Sequence, residues 1–302
     1  MTDCRIASHT NAASAVTQLP HRASLIGLPQ ELQDAVVSQL RRDISKRDLL
    51  SLTRSCKALR ATCLPFIYER ISWLDKQEKE FFRALSSSNA KPGRYVRKLV
   101  FFDLDPAVSI VRDILEQTTN LLSLCCYFDL PYDPDSEDRI NMDTMSMSLG
   151  HVSQTLTTLT IGYSEWEPAW GSPAPTLGVV KLGYMSTLKM LNIPISVLLD
   201  LHVESTAEFK DVLPCSLVHL AIGREQQRPS WEYDWTPHHM LKKLAIFFDN
   251  GMWRYGTPSL QTIHIREAAW YARKDRDLNS CNVAARRVVQ NAGLQYDPHP
   301  HH

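Results

Sequence analysis

One short apolar unit recurs through most of this chain and limits its architecture more than any other feature: apolar, two residues, apolar, one residue, apolar. It stands as Val96-x-x-Leu99-x-Phe101, Leu121-x-x-Leu124-x-Cys126, Leu156-x-x-Leu159-x-Ile161, Leu188-x-x-Leu191-x-Ile193, Leu217-x-x-Leu220-x-Ile222, Leu241-x-x-Leu244-x-Ile246 and Leu260-x-x-Ile263-x-Ile265. The alternation of the last two apolar residues fits a short strand with one buried face, and the leading residue fits a tuck into the layer beneath. The central anchors lie 25, 35, 32, 29, 24 and 19 residues apart. Such intervals leave room for a helix between strands, and Val108, Val111, Ile114 and Leu115 supply one amphipathic candidate. Strand after strand linked in this way predicts an α/β fold with a parallel sheet.

The unit resembles the core of leucine-rich repeats. That resemblance implies an irregular solenoid over residues 90–302, with a curved parallel sheet and helices on its outer side. The intervals depart from the ~20 to 29 residues of regular members, and the Asn or Cys that usually follows the strand is mostly missing, so the repeats are degenerate. Three intervals carry unusual loops. Residues 131–141 are acidic and polar, residues 164–176 hold Trp166 and Trp170, and residues 224–240 hold Trp231, Tyr233 and Trp235. These rings have two readings: they fold back to pack their own loops, or they form a substrate-binding surface. A helix-like stretch at Val283–Val289, a Gly293 stop and a short apolar tail read as a terminal cap. His299, His301 and His302 follow it as solvent-exposed residues.

Before residue 90 the period is helical. Residues 1–20, rich in Ala, Ser and Thr, read as a disordered tail. Leu28-Pro29-x-Glu31-Leu32 then opens a stretch in which Leu32, Val36 and Leu40 recur on one helical face. Pro29 suits the first position of a helix, where its missing N–H costs nothing. Ser45 and Asp48 resemble a capping box, and Leu49, Leu52, Cys56, Leu59 and Cys63 continue the helical stripe up to Pro65, Ile67 and Tyr68.

Residues 21–73 thereby resemble an F-box of the fungal type, a three-helix motif. The resemblance implies docking onto a Skp1-type adaptor, and through it a cullin, by Leu28, Pro29, Glu31, Leu32, Val36, Leu40, Leu49, Leu52 and Cys56. Arg54 and Lys57 stand near a position where members often carry a basic residue. The frequent Trp near the end of the motif is replaced in that neighbourhood by Tyr68. The function implied is that of a substrate-recognition subunit of an SCF-type (Skp1–cullin–F-box) ubiquitin ligase, a non-enzymatic receptor whose repeats hold an unknown protein substrate. The alternatives are a Skp1-binding or repeat scaffold that delivers nothing for ubiquitination and, further off, a phosphatase of the haloacid-dehalogenase type.

Composition narrows the field. Lys+Arg 33 against Asp+Glu 33 gives a formal charge of zero, so no global field draws the 302-residue chain to nucleic acid or an anionic membrane. Arg286-Arg287 is too small a feature to bind nucleic acid. One large domain and a small one are expected. The 7 cysteines form no Cys-x-x-Cys pair and suit reduced thiols. With neither a secretory signal nor an apolar run of ~18 residues, a cytoplasmic or nuclear location is expected.

Enzyme signatures are thin. Asp103 and Asp105 follow an apolar strand, as the nucleophile and acid/base of a haloacid-dehalogenase-like phosphatase would, but Ala107 replaces the expected Thr or Val and a strand ending in a turn at Asp105-Pro106 explains them. No Gly-x-Ser-x-Gly, Gly-x-x-x-x-Gly-Lys or His-Glu-x-x-His occurs. His238-His239 lacks a partner ligand at metal spacing. Neither a cofactor nor a metal is expected.

Overall fold

The computed structural model describes residues 25–43, 46–55, 57–73, 92–104, 108–128, 140–163, 176–199, 207–223, 237–251, 253–265 and 278–297. The chain forms two compact units, Met1–Cys63 and Leu64–His302.

The first unit is helical: α1 (Gln30–Asp43), α2 (Lys46–Ser55) and the greater part of α3 (Lys57–Tyr68). Asp48 in the first turn of α2 and Arg54 in its last turn each sit at the end of the helix dipole that favours their charge. Val37, Leu49, Leu59 and Cys63 are buried. Ser45 and Cys56 lie outside the described residues, as does the side chain of Leu40.

The second unit holds strands β1 (Arg70–Trp73), β2 (Lys98–Leu104), β3 (Ser123–Phe128), β4 (Ile140–Asn141), β5 (Thr158–Tyr163), β6 (Thr176–Leu177), β7 (Met190–Pro194), β8 (His219–Gly223), β9 (Thr262–Ile265) and β10 (Gln295–Tyr296). Eight of them form one open, all-parallel sheet in the order β1-β2-β3-β5-β7-β8-β9-β10. β4 and β6 pair separately, bringing the ends of two of the long intervals together at Ile140↔Thr176 and Asn141↔Leu177. Asn141 also caps the next helix, its side chain accepting from the Thr144 amide at 3.0 Å. The connecting helices are α4 (Val108–Gln117), α5 (Met142–Leu149), α6 (Ile195–Leu199), α7 (Phe209–Val212), α8 (Pro237–Phe248), α9 (Trp253–Gly256) and α10 (Leu278–Asn291).

The recurring unit explains the register. Its central anchors stand opposite one another across the sheet: Leu99↔Leu124↔Leu159↔Leu191↔Leu220↔Ile263, flanked by Ile71 and Tyr296 at the two edges. The leading residues Val96, Leu121, Leu156, Leu188, Leu217 and Leu260 are all buried, and with the anchors and Val111, Ile114 and Leu115 of α4 they belong to one continuous core. Backbone geometry repeats too. The carbonyls of Glu69, Arg97, Leu122, Thr157, Lys189 and Val218 each accept two successive amides from the start of the next strand of the sheet, at 2.9 to 3.2 Å. A polar residue just before the leading apolar one ties each turn to its predecessor at three places. Asn120 donates to Arg94 O (2.9 Å), Thr187 to Leu156 O (2.9 Å) and Ser216 to Leu188 O (2.8 Å).

One expected strand is a helix. Leu241, Leu244 and Ile246 lie within α8, which Pro237 opens at the first helical position, where a fixed φ and a missing N–H cost nothing. Met240, Leu244 and Phe247 recur at helical spacing and are buried, whereas Ile246, expected inside, is 51% exposed. The sheet therefore passes from Leu220 to Ile263 directly. The expected C-terminal stop stands: Gly293 has φ +80° after α10, its amide donating to Gln290 O (2.9 Å) and that of Leu294 to Val289 O (3.2 Å). This is a Schellman ending, with Leu294 and Val289 both buried. α10 packs against α8.

Candidate functional site

The Leu-Pro turn is built from the residues around it. A single 3-10 turn, Leu25–Gly27, delivers Leu28 to Pro29, and the Pro29 carbonyl accepts the amides of Leu32 and Gln33 at 3.0 Å. Pro29 thus stands immediately before α1 rather than within it. Glu31, in the first turn, is exposed where negative charge suits the helix terminus.

α1 carries two stripes of different fate. Leu32 and Val36 are 52% and 37% exposed, and with exposed Pro29 and Ile26 they leave an apolar surface in water beside the turn. Gln33 and Val37, one residue on in each case, are the buried pair. Leu28 and Leu52 are half-buried. Leu49, 3% exposed, is already part of the interior, and the α2 leucine at the surface is its neighbour Leu50, 41% exposed. Arg54 and Lys57 are exposed.

A buried polar brace holds the turn, and nothing in the apolar pattern announces it. The Gln33 side chain is 6% exposed. Its amide nitrogen donates to Leu28 O at 2.8 Å and Ile26 O at 3.4 Å, while its oxygen accepts from Thr62 of α3 at 3.3 Å. Gln30 donates to the same Thr62 hydroxyl at 3.0 Å and to Asp34 at 2.8 Å. A carboxamide fits here because one planar group offers both the donor that the turn needs and the acceptor that Thr62 needs. The available signal was the spacing: Gln33 and Val37 are four apart, so a glutamine shares a face with a core valine.

In the second unit, the sheet residues that alternate with the core anchors form the other candidate surface. Val100, Cys125, Thr160, Asn192 and Ala221 stand in register along it, all half-buried. Phe102 and Tyr127 stack on it at 5.4 Å between ring centroids and 9° between planes. Gly162 lies beside them, where a β-carbon would come within 3.1 Å of the Tyr127 ring. Burial pushes the Cys125 thiol up and the Cys126 thiol well up, so neither is a ready thiolate.

Trp166, Trp170, Trp231, Tyr233 and Trp235 lie outside the described residues, as do Asp105, the Asp103 side chain and the terminal histidines. His238 and His239 open α8 with ring centroids 6.2 Å apart. Among the described residues no cluster of three or more His, Cys, Asp or Glu is placed to hold a metal, and no helix is long and apolar enough to cross a membrane. No protein-family model matches the chain, and no curated protein matches it.

Proposed function

We propose that this protein is the substrate-recognition subunit of an SCF-type ubiquitin ligase, with residues 21–73 an F-box that docks on a Skp1-type adaptor and residues 90–302 a degenerate leucine-rich-repeat solenoid that holds a protein target. One observation carries the reading: Pro29, Leu32 and Val36, three of the positions where the F-box resemblance puts adaptor contacts, stand in water around the Leu-Pro turn with Ile26 exposed beside them. The sequential order of eight parallel strands with anchors in register supports the solenoid. The mechanism is proximity. A receptor that fixes a target lysine beside a ubiquitin thioester raises its effective concentration and does no covalent chemistry itself. On this reading it works in the cytoplasm or nucleus.

The first measurement is adaptor capture. Truncating central apolar anchors of an interface commonly costs about 2 kcal/mol each, so Leu28→Ala with Pro29→Ala should weaken capture of purified Skp1-type adaptor more than tenfold while the second unit stays folded. Full capture by a folded double variant would sink the assignment. A non-degradative scaffold predicts the same adaptor binding, but leaves the abundance of the captured target unchanged when this protein is deleted. The phosphatase reading asks for a doubly wound sheet whose strand order reverses at the site, whereas the order here runs without reversal.

A further inference from the structure

The geometry points to Gln33 and Thr62 as positioning residues that set the Leu28-Pro29 turn for adaptor docking; the inference rests on the F-box reading above. The argument starts from cost. Burying a carboxamide is favourable only if its hydrogen bonds are made, and Gln33 makes them to the backbone of the turn itself, at Leu28 O and Ile26 O. Thr62, 2% exposed on α3, orients that carboxamide by donating to its oxygen at 3.3 Å. With the oxygen engaged, the nitrogen must face the turn.

The consequence concerns preorganisation. Ile26 and Pro29 are exposed, so they gain little from the folded chain alone and depend on the backbone of the turn for their arrangement beside Leu32 of α1. A turn already fixed before docking spares the complex the ordering cost that a loose one would incur on binding. Gln33 and Thr62 therefore act on affinity without touching the adaptor.

The test uses the full chain. Gln33→Leu should raise hydrogen exchange at the Leu28 amide, which donates to Leu25 O at 3.3 Å within the 3-10 turn, and should weaken capture of purified Skp1-type adaptor by roughly tenfold, the scale of two lost buried hydrogen bonds. Gln33→Glu adds a readout that a merely structural role would not move. Its ionised carboxylate would face two carbonyl oxygens and release the turn, whereas its protonated form would again donate to Leu28 O. Capture relative to wild type should therefore be poor at neutral pH and recover as pH falls. Thr62→Ser should keep capture near wild type and Thr62→Val should not.

Unchanged Leu28 exchange and unchanged capture in Gln33→Leu, beside normal capture by wild type, would overturn the brace and leave the function standing. If Gln33→Leu unfolds α1, the pH series on Gln33→Glu decides: a ratio to wild type that is flat with pH overturns the proposal. Failure of the wild-type chain to capture adaptor at all would overturn the F-box reading and the docking role of the brace together.

Discussion

In the sheet unit, Leu99, Leu124, Leu159, Leu191, Leu220 and Ile263 stand in register and are almost wholly removed from water. In the helical unit, Leu32 and Val36 recur just as regularly and remain exposed, while a glutamine takes the buried place beside them. The same residue types at regular spacing thus serve two ends. In a parallel sheet each anchor has a neighbour from the next strand on either side, so the chain itself covers the apolar face. On a short helix the period says which residues share a face, and the chain need not supply the cover. On the proposed function, the apolar stripe left in water beside the turn is the place a partner would cover.

The sharpest way to break this contrast is at its best-covered point. Leu191→Ala, mid-sheet, opens a cavity between Leu159 and Leu220, and should cost about 2 to 5 kcal/mol by urea unfolding of the second unit. A cost under about 1 kcal/mol would mean that the register does not bear the stability assigned to it.

Next in size is a backbone contact. Gly93 has no room for a side chain: a β-carbon there would lie 2.3 Å from the carbonyl oxygen of Gln117 at the end of α4. Gly93→Ala must displace that helix end or its own turn, and a destabilisation of about 1 to 3 kcal/mol is expected from overpacking. Thermal unfolding checks it, with Gly150→Ala as control, since nothing lies within 4 Å of a β-carbon there.

The difference between the units also decides how much could be read from the sequence. Six of the seven anchor triplets became strands because alternation of two plus a tucked leading residue is a pattern that only a covered sheet uses repeatedly. The seventh, at Leu244, failed because Leu-x-x-Leu also satisfies a helix, and Pro237 with Met240, Leu244 and Phe247 tipped the balance. The edge strands β1 and β10 were illegible: four and two residues long, they owe their conformation to pairing with β2 and β9 rather than to any period of their own. In the helical unit the Leu-Pro turn and the Leu32–Val36 stripe were legible. The Gln33–Thr62 brace was not, because a hydrogen bond between residues so far apart leaves no trace in hydropathy. Of the two adjacent leucines in α2, the chain buries Leu49 and leaves Leu50 exposed, a choice that the period alone does not make.

A smaller effect tests the end of the sheet unit. Gly293 holds a left-handed conformation that an L side chain adopts only at a cost, and its amide and that of Leu294 satisfy the last carbonyls of α10. Gly293→Ala should destabilise by about 1 kcal/mol, measured as a small fall in Tm. A neutral outcome would show the α10 ending to be incidental to the edge formed by β9 and β10.

The smallest stability effect is the most telling, because it falls on the residues that look most like core. Leu32→Ser and Val36→Ser remove apolar groups that water already reaches, so each should change the stability of the helical unit by no more than about 0.5 kcal/mol, far below Leu191→Ala. On the proposed function, the same pair of changes should together weaken capture of a Skp1-type adaptor by at least tenfold, since the surface they form is desolvated only when the partner arrives. Large destabilisation without an effect on capture would place the two side chains in the chain's own interior and erase the distinction between the units. Capture lost with stability held would show that the helical unit keeps its regular apolar face for another molecule, while the sheet unit spends its own on itself.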